Sequence, residues 1–80
     1  MPRYFFHVRD GVSIEDREGT ELADLQTAQR EAVTMTGEIL KSLGDKFWTH
    51  TQWLLEVCNE DGEVLFVLRF SGSLLPRNDP

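Results

Sequence analysis

The stretch that decides the fold reads RYFFHVR and occupies residues 3–9. We interpret it as a β-strand. Successive side chains of a strand point to opposite faces of its sheet, so Tyr4 and Phe6 share one face while Phe5 and His7 share the other. Large rings therefore project from both faces of the sheet that this strand joins.

The spacing of apolar residues predicts four more elements. They are a short second strand over residues 12–15, a helix from Leu25 to Leu43, a third strand over residues 52–59 and a fourth over residues 63–70. Asp24 is a suitable N-cap because its carboxylate can accept hydrogen bonds from free amides at a helix start. Gly44 supplies the residue type that commonly ends a helix. Gly37 lies within the helix, and we expect it to permit close approach of the sheet.

These elements predict an α+β fold with the order β-β-α-β-β. One helix packs on one face of a four-stranded antiparallel sheet. A strand order of 2-1-3-4 keeps every neighbouring pair antiparallel and makes the crossover right-handed. Residues 1–70 form a single domain with a thin core, and residues 71–80 form a short C-terminal tail that we expect to fray.

Composition argues against several classes of protein. The formal net charge is −6, whereas general nucleic-acid binders usually carry a basic surplus. Cys58 is the single cysteine, which excludes an internal disulfide and favours a reducing compartment. We see no signal peptide and nothing close to the ~20 apolar residues of a membrane span. We therefore expect a cytoplasmic protein with no membrane partner.

The helix can cover only one face of the sheet, and the other face is also apolar. In the fourth strand, alternation places Val64 on the helix side and Leu65 on the other side. The residues that we expect to bind a partner on that second face are Phe5, His7, Leu54, Cys58, Leu65 and Val67, fringed by Arg3, Arg9 and Arg69. A solvated antiparallel face should alternate to polar residues, and an apolar patch with a polar rim commonly marks an interface.

Two alternatives explain the second face without a partner. The loop over residues 45–51, which contains Phe47 and Trp48, folds over it in the first alternative. In the second, a few apolar residues are simply exposed, as they are on any protein surface.

Longer stretches of the chain resemble a known family. The segments are MPRYFFHVRDG, DREGTELADLQTAQREA, FWTHTQWLLEV and DGEVLFVLRF. Together they resemble a family of short bacterial proteins that carries only a domain-of-unknown-function label, over roughly residues 2–70. The resemblance implies a stand-alone cytoplasmic bacterial protein and implies no activity, cofactor or catalytic residue. The topology alone is also similar to small αβ antitoxins of the HicAB type, as a fold-level analogy.

No set of residues in the chain completes a recognised catalytic or metal site. His7, Glu56 and Cys58 share the second face, but their spacing matches no metal signature. We therefore predict no catalytic residue, no metal and no cofactor. The arginines and rings of the same face could form a platform for single-stranded nucleic acid, which the acidic net charge disfavours.

The sequence thus predicts a protein without enzymatic activity that forms a homodimer or binds another protein through the uncovered sheet face. A small antitoxin-like or other nucleic-acid-linked regulator is the alternative.

Overall fold

The computed structural model describes residues 1–10, 13–49 and 52–76. Its elements in chain order are β1 (Arg3–Arg9), β2 (Ser13–Ile14), β3 (Thr20–Glu21), helix α1 (Leu25–Leu43), a 3₁₀ segment (Gly44–Thr49), β4 (Gln52–Cys58) and β5 (Val64–Ser71). The predicted α+β class, an antiparallel sheet with one helix packed on it, is confirmed. Gly11 and Val12 of the first hairpin, His50 and residues 77–80 of the predicted tail lie outside the described residues.

The sheet has the order β2-β1-β4-β5, and its strands pair antiparallel. The two-residue strand β3 also pairs with β1, where Thr20 lies opposite Tyr4. The order of the four predicted strands is confirmed, and β3 is an addition to them. So short a strand has no periodicity of its own to reveal it in the sequence.

The core lies between α1 and one face of the sheet. Its fully or nearly buried members are Tyr4, Phe6, Ala28, Ala32, Leu55 and Val57. Tyr4 and Phe6 come from one face of β1, and register places Val57 opposite Phe6. The largest side chains with almost no exposed surface are Leu55 and Val57, so the core is thin.

Helix α1 begins and ends where the sequence predicts. The Asp24 Oδ1 atom accepts hydrogen bonds from the Thr27 amide at 2.8 Å and from the Thr27 hydroxyl at 2.7 Å. These bonds lower the pKa of Asp24 because they stabilise its ionised form. At the other end, Gly44 adopts a φ of 53° and its amide donates to the Leu40 carbonyl.

Gly37 does not have the role predicted for it. It is exposed, and a Cβ atom at this position would have nothing within 4 Å. The close approach of helix and sheet is instead made by Ala28 and Ala32, whose exposed fraction is 0 %. Small alanine side chains let two backbones approach without the conformational cost of glycine.

A β-bulge near the start of β5 places two of its residues on the opposite faces from those predicted. Cys58 pairs with Val64 but Val57 pairs with Phe66, so Leu65 is an extra residue in the ladder. Such a β-bulge reverses the alternation on one side of the insertion. Leu65 is half-buried against the core, and Val64, opposite Cys58, lies on the second face with 49 % of its surface exposed. The prediction that Leu65 lies on the second face is therefore wrong.

The 3₁₀ segment packs on the helix side of the sheet. The Phe47 ring stacks on Phe70 with centroids 6.5 Å apart, and Phe70 stacks on Trp53 at 5.9 Å. Trp53 and Phe70 are register partners on the face that carries Leu55. The aromatic residues of this loop therefore do not cover the second face.

Candidate interaction surface

The face of the sheet opposite α1, hereafter the open face, is built by alternate residues of β1, β4 and β5. Register brings them together in cross-strand pairs. The pairs are Phe5–Cys58, His7–Glu56, Arg9–Leu54, Glu56–Val67, Leu54–Arg69 and Cys58–Val64. Of the predicted interface residues with defined pairs, only Leu65 is displaced from this face. Arg3 begins the same row of β1.

A loop over residues 15–19 covers one end of the open face. A Cβ atom on Gly19 would lie 2.8 Å from the Arg3 Cγ and 2.9 Å from the Phe5 Cε2, so only glycine fits against the Phe5 ring. Gly19 also has a φ of 72°, which favours glycine. The loop thus leaves Phe5 half-buried without a partner molecule.

The Asp16 carboxylate holds this loop against the edge of β1. Its Oδ2 accepts from the Phe6 amide at 3.1 Å, and its Oδ1 accepts from the amides of Glu18 and Gly19 at 3.2 and 3.0 Å. Burial raises the pKa of Asp16, but the backbone bonds to Gly19, Phe6 and Glu18, with the nearby imidazole, outweigh it and lower the pKa. The ionised form of Asp16 is the one that the fold stabilises.

His7 serves the same loop. The Asp16 backbone amide donates to the His7 Nδ1 at 3.1 Å. A nitrogen that accepts a hydrogen bond carries no proton, so the neutral ring holds its proton on Nε2. The Nδ1 atom of His7 therefore helps to hold the loop over residues 15–19 in place.

Two of the three arginines that fringe the open face, Arg3 and Arg9, are paired with carboxylates. Arg3 lies 2.8 Å from the Glu21 carboxylate, and Arg9 lies 3.4 Å from that of Glu56 and 3.7 Å from that of Glu15. Arg3 also donates to the Glu18 carbonyl at 2.8 Å. The nucleic-acid alternative therefore gains no support from this surface, since a phosphate-binding platform needs uncompensated positive charge.

Cys58 is a buried residue of the open face, with 5 % of its surface exposed. Burial raises the pKa of the Cys58 thiol, and the Glu56 carboxylate, 3.9 Å from its sulfur, raises it further. A thiol that stays protonated is a poor nucleophile and a poor metal ligand. Within residues 1–10, 13–49 and 52–76, no group of three or more His, Cys, Asp or Glu residues could hold a metal ion.

An apolar strip runs along β4 and β5 on the open face. Leu54 and Val67 are half-buried, and Val64 is more exposed. We call these three residues the apolar strip. It lies at the opposite side of the open face from the loop over residues 15–19, since β1 separates that loop from β4.

Comparison with known proteins identifies the family. The profile of the family described as Domain of unknown function (DUF6894) matches residues 3–71. The chain belongs to the DUF6894 family. The family resemblance predicted from the sequence is confirmed. No curated protein and no solved structure matches the chain.

In this DUF6894 chain, a cleft of about 440 Å³ lies at one end of the sheet, and Leu54 of the apolar strip is part of its lining. The lining residues are Arg9, Asp10, Gln52, Trp53, Leu54, Arg69, Phe70 and Ser71. They come from the end of β1, the start of β4 and the end of β5. Trp53 and Phe70 belong to the helix side of the sheet and Arg9, Leu54 and Arg69 to the open face, so the cleft lies where the two faces meet at the end of the sheet.

No helix in the described part of the DUF6894 chain has the length and apolar character that a membrane crossing would require.

Sequence reasoning missed the loop over residues 15–19 as a feature of this surface. The residues Asp16 and Gly19 were visible as a turn, and a carboxylate three residues before a glycine is typical of a turn held by side-chain acceptors. What the sequence does not show is that this turn folds onto Phe5 and His7. That placement depends on the distance between β2 and β3 along the edge of β1.

Proposed function

We propose that this DUF6894 chain is a protein-binding module without enzymatic activity, and that its partner is a second copy of itself. The single observation that carries the proposal is the apolar strip of Leu54, Val64 and Val67 on the face opposite α1, where Val64 is 49 % exposed and the other two are half-buried. Full burial of a large aliphatic side chain is worth about 1.5–3 kcal/mol. Association is therefore the simplest way to stabilise a domain whose own core is thin.

The chemistry of the open face supports a role in binding rather than in catalysis. The Asp16 carboxylate and the His7 imidazole hold the loop over residues 15–19, and the Glu56 carboxylate pairs with Arg9. A general acid or base needs an ionisable group that is free to reach a substrate. These groups support structure instead, and burial raises the pKa of the Cys58 thiol, which disfavours the nucleophilic thiolate. We place the module in the cytoplasm, since a lone thiol suits a reducing compartment.

The experiment that tests this function compares two variants by size-exclusion chromatography with light scattering at micromolar concentration. Leu54→Glu puts a carboxylate in the apolar strip, between Arg9 and Arg69 in the register. Those arginines favour the new charge in the free chain, while a second copy packed on the strip would have to desolvate it. We expect a dimer for the wild type. The Leu54→Glu variant then shows where the second copy binds, because a monomer places the contact on the apolar strip and a dimer places it elsewhere on the chain.

Val33→Glu is the matched control. Val33 lies on α1 with 62 % of its surface exposed, away from the apolar strip, so this variant should remain dimeric. Circular dichroism should show the same helical signal in all three proteins. A wild-type chain that is monomeric throughout would refute the proposed function.

A further inference from the structure

The two edges of the sheet differ in whether other segments of the chain pair with them. Along the outer edge of β1, the Pro2 carbonyl accepts from the Leu22 amide at 3.1 Å and the Phe6 amide donates to Asp16. Tyr4 pairs with Thr20 of β3, and Val8 pairs with Ile14 of β2. The chain thus closes this edge with two short strands and a carboxylate, devices that prevent unwanted strand pairing.

The geometry of the ladder identifies the groups that face outward from β5. The backbone groups of even-numbered residues along β1 point away from β4, as the Pro2 carbonyl and the Phe6 amide do at the outer edge. Because backbone N–H and C=O groups alternate between the two edges of a strand, those of the odd-numbered residues bond to β4. Through the register, Trp53, Leu55 and Val57 of β4 then bond to β5. Their partners are Phe70, Leu68 and Phe66. The backbone groups of the intervening residues, Val67, Arg69 and Ser71, therefore point away from the sheet.

Nothing in the described part of the chain bonds to those outward groups. The sequence of β5 is VLFVLRFS, an eight-residue strand with one charge, no lysine and no proline. Proteins usually protect an edge strand with charges, prolines or a covering segment. The only such features of β5 are the bulge at its start and the charge of Arg69. The rest of the strand is therefore a template on which another strand could pair.

We propose that β5 pairs antiparallel with β5 of a second copy, so that the two sheets become one continuous sheet. This inference rests on the proposed self-association and names the contact that produces it. A two-fold axis perpendicular to the sheet keeps both helices on the same side. The apolar strips of the two copies then join into one surface on the other side.

The charges and the bulge select one register for this pair. Leu68 lies opposite Leu68 of the second copy, and Val67 lies opposite Arg69 of the second copy, where the two residues exchange both N–H···O bonds. Shifting one β5 strand by one hydrogen-bonded pair in one direction sets Arg69 opposite Arg69 of the second copy. Like charges directly opposite each other destabilise a sheet. Sliding the other way requires Leu65, the bulged residue, to pair regularly.

Amide hydrogen exchange of the wild-type chain tests the contact without a substitution. The Val67 and Arg69 amides should exchange slowly at concentrations where the protein is dimeric and quickly on dilution, because only the partner strand protects them. The Leu68 amide, bonded to β4, should stay slow at both concentrations. Fast exchange of Val67 and Arg69 in a chain that is demonstrably dimeric overturns the edge contact and leaves self-association standing.

A pair of variants at Val67 provides the second test. Val67→Pro removes the outward N–H and is tolerated on an edge strand because it breaks no bond to β4. Val67→Thr keeps the N–H and has a similar shape. The expected result is a dimer dissociation constant raised tenfold or more, on the order of the loss of one hydrogen bond in each copy, for Val67→Pro only.

Equal weakening by both Val67 variants would contradict edge pairing, since it would place the contact on the side chain. A wild-type chain that never dimerises fails the proposed function itself, which separates the two failures.

Discussion

At the scale of single residues, Asp16 holds the loop over residues 15–19 against the edge of β1. Its carboxylate accepts three backbone hydrogen bonds and its amide donates to His7. Asp16→Ala leaves the Phe6 amide without this acceptor, and we expect a loss of about 1–3 kcal/mol in the free energy of unfolding, measured by urea denaturation at neutral pH. An unchanged free energy of unfolding would show that water replaces the carboxylate without cost.

The pH dependence of stability provides a separate prediction for Asp16. Its pKa is lower in the folded protein than its ordinary value of 3.8, so its contribution is fully present above that value and is lost as the pH falls through the folded pKa. In urea denaturation from neutral pH to about pH 3, the wild type should lose more stability than Asp16→Asn, which cannot ionise. Parallel profiles for the two proteins would contradict the pKa shift.

At the scale of elements, helix α1 contacts the sheet through alanines and exposes its glycine. Gly37→Ala meets no atom within 4 Å and removes the flexibility of glycine from a helix interior, so it should stabilise the protein by about 0.5–1 kcal/mol. Gly19→Ala is the contrasting variant, since its Cβ would collide with Arg3 and Phe5. Thermal unfolding should show a higher Tm for the first and a lower Tm for the second. A lowered Tm for Gly37→Ala would mean that the helix needs the glycine.

The elements also show what the sequence could predict. The bounds of α1 follow from local signals, namely the Asp24 cap, the apolar spacing and Gly44. The bulge at Leu65 and the direction taken by Phe47 depend on contacts with β4 and β5 that are distant in the chain. The sequence therefore predicted most of the open face correctly but misplaced Leu65, and it left open which side the 3₁₀ segment would cover.

At the scale of the whole molecule, the chain is extended for its length. Its radius of gyration is 15.0 Å, whereas a compact domain of this size has a value of about 12 Å. The helix covers one face of the sheet and the loop over residues 15–19 covers one end of the other face, whereas the described residues leave the β5 edge unpaired and Val64 of the apolar strip exposed. The strip and the β5 edge adjoin each other, since Val64 and Val67 belong to β5. A second copy placed along β5 would extend the sheet and bring the two strips together.

Sedimentation equilibrium of the wild-type chain over a range of micromolar concentrations tests this account most directly. The account predicts a reversible monomer–dimer equilibrium, with a mass that rises toward twice the chain mass of 9.2 kDa as the concentration increases. A mass that stays at the monomer value at every concentration would contradict it.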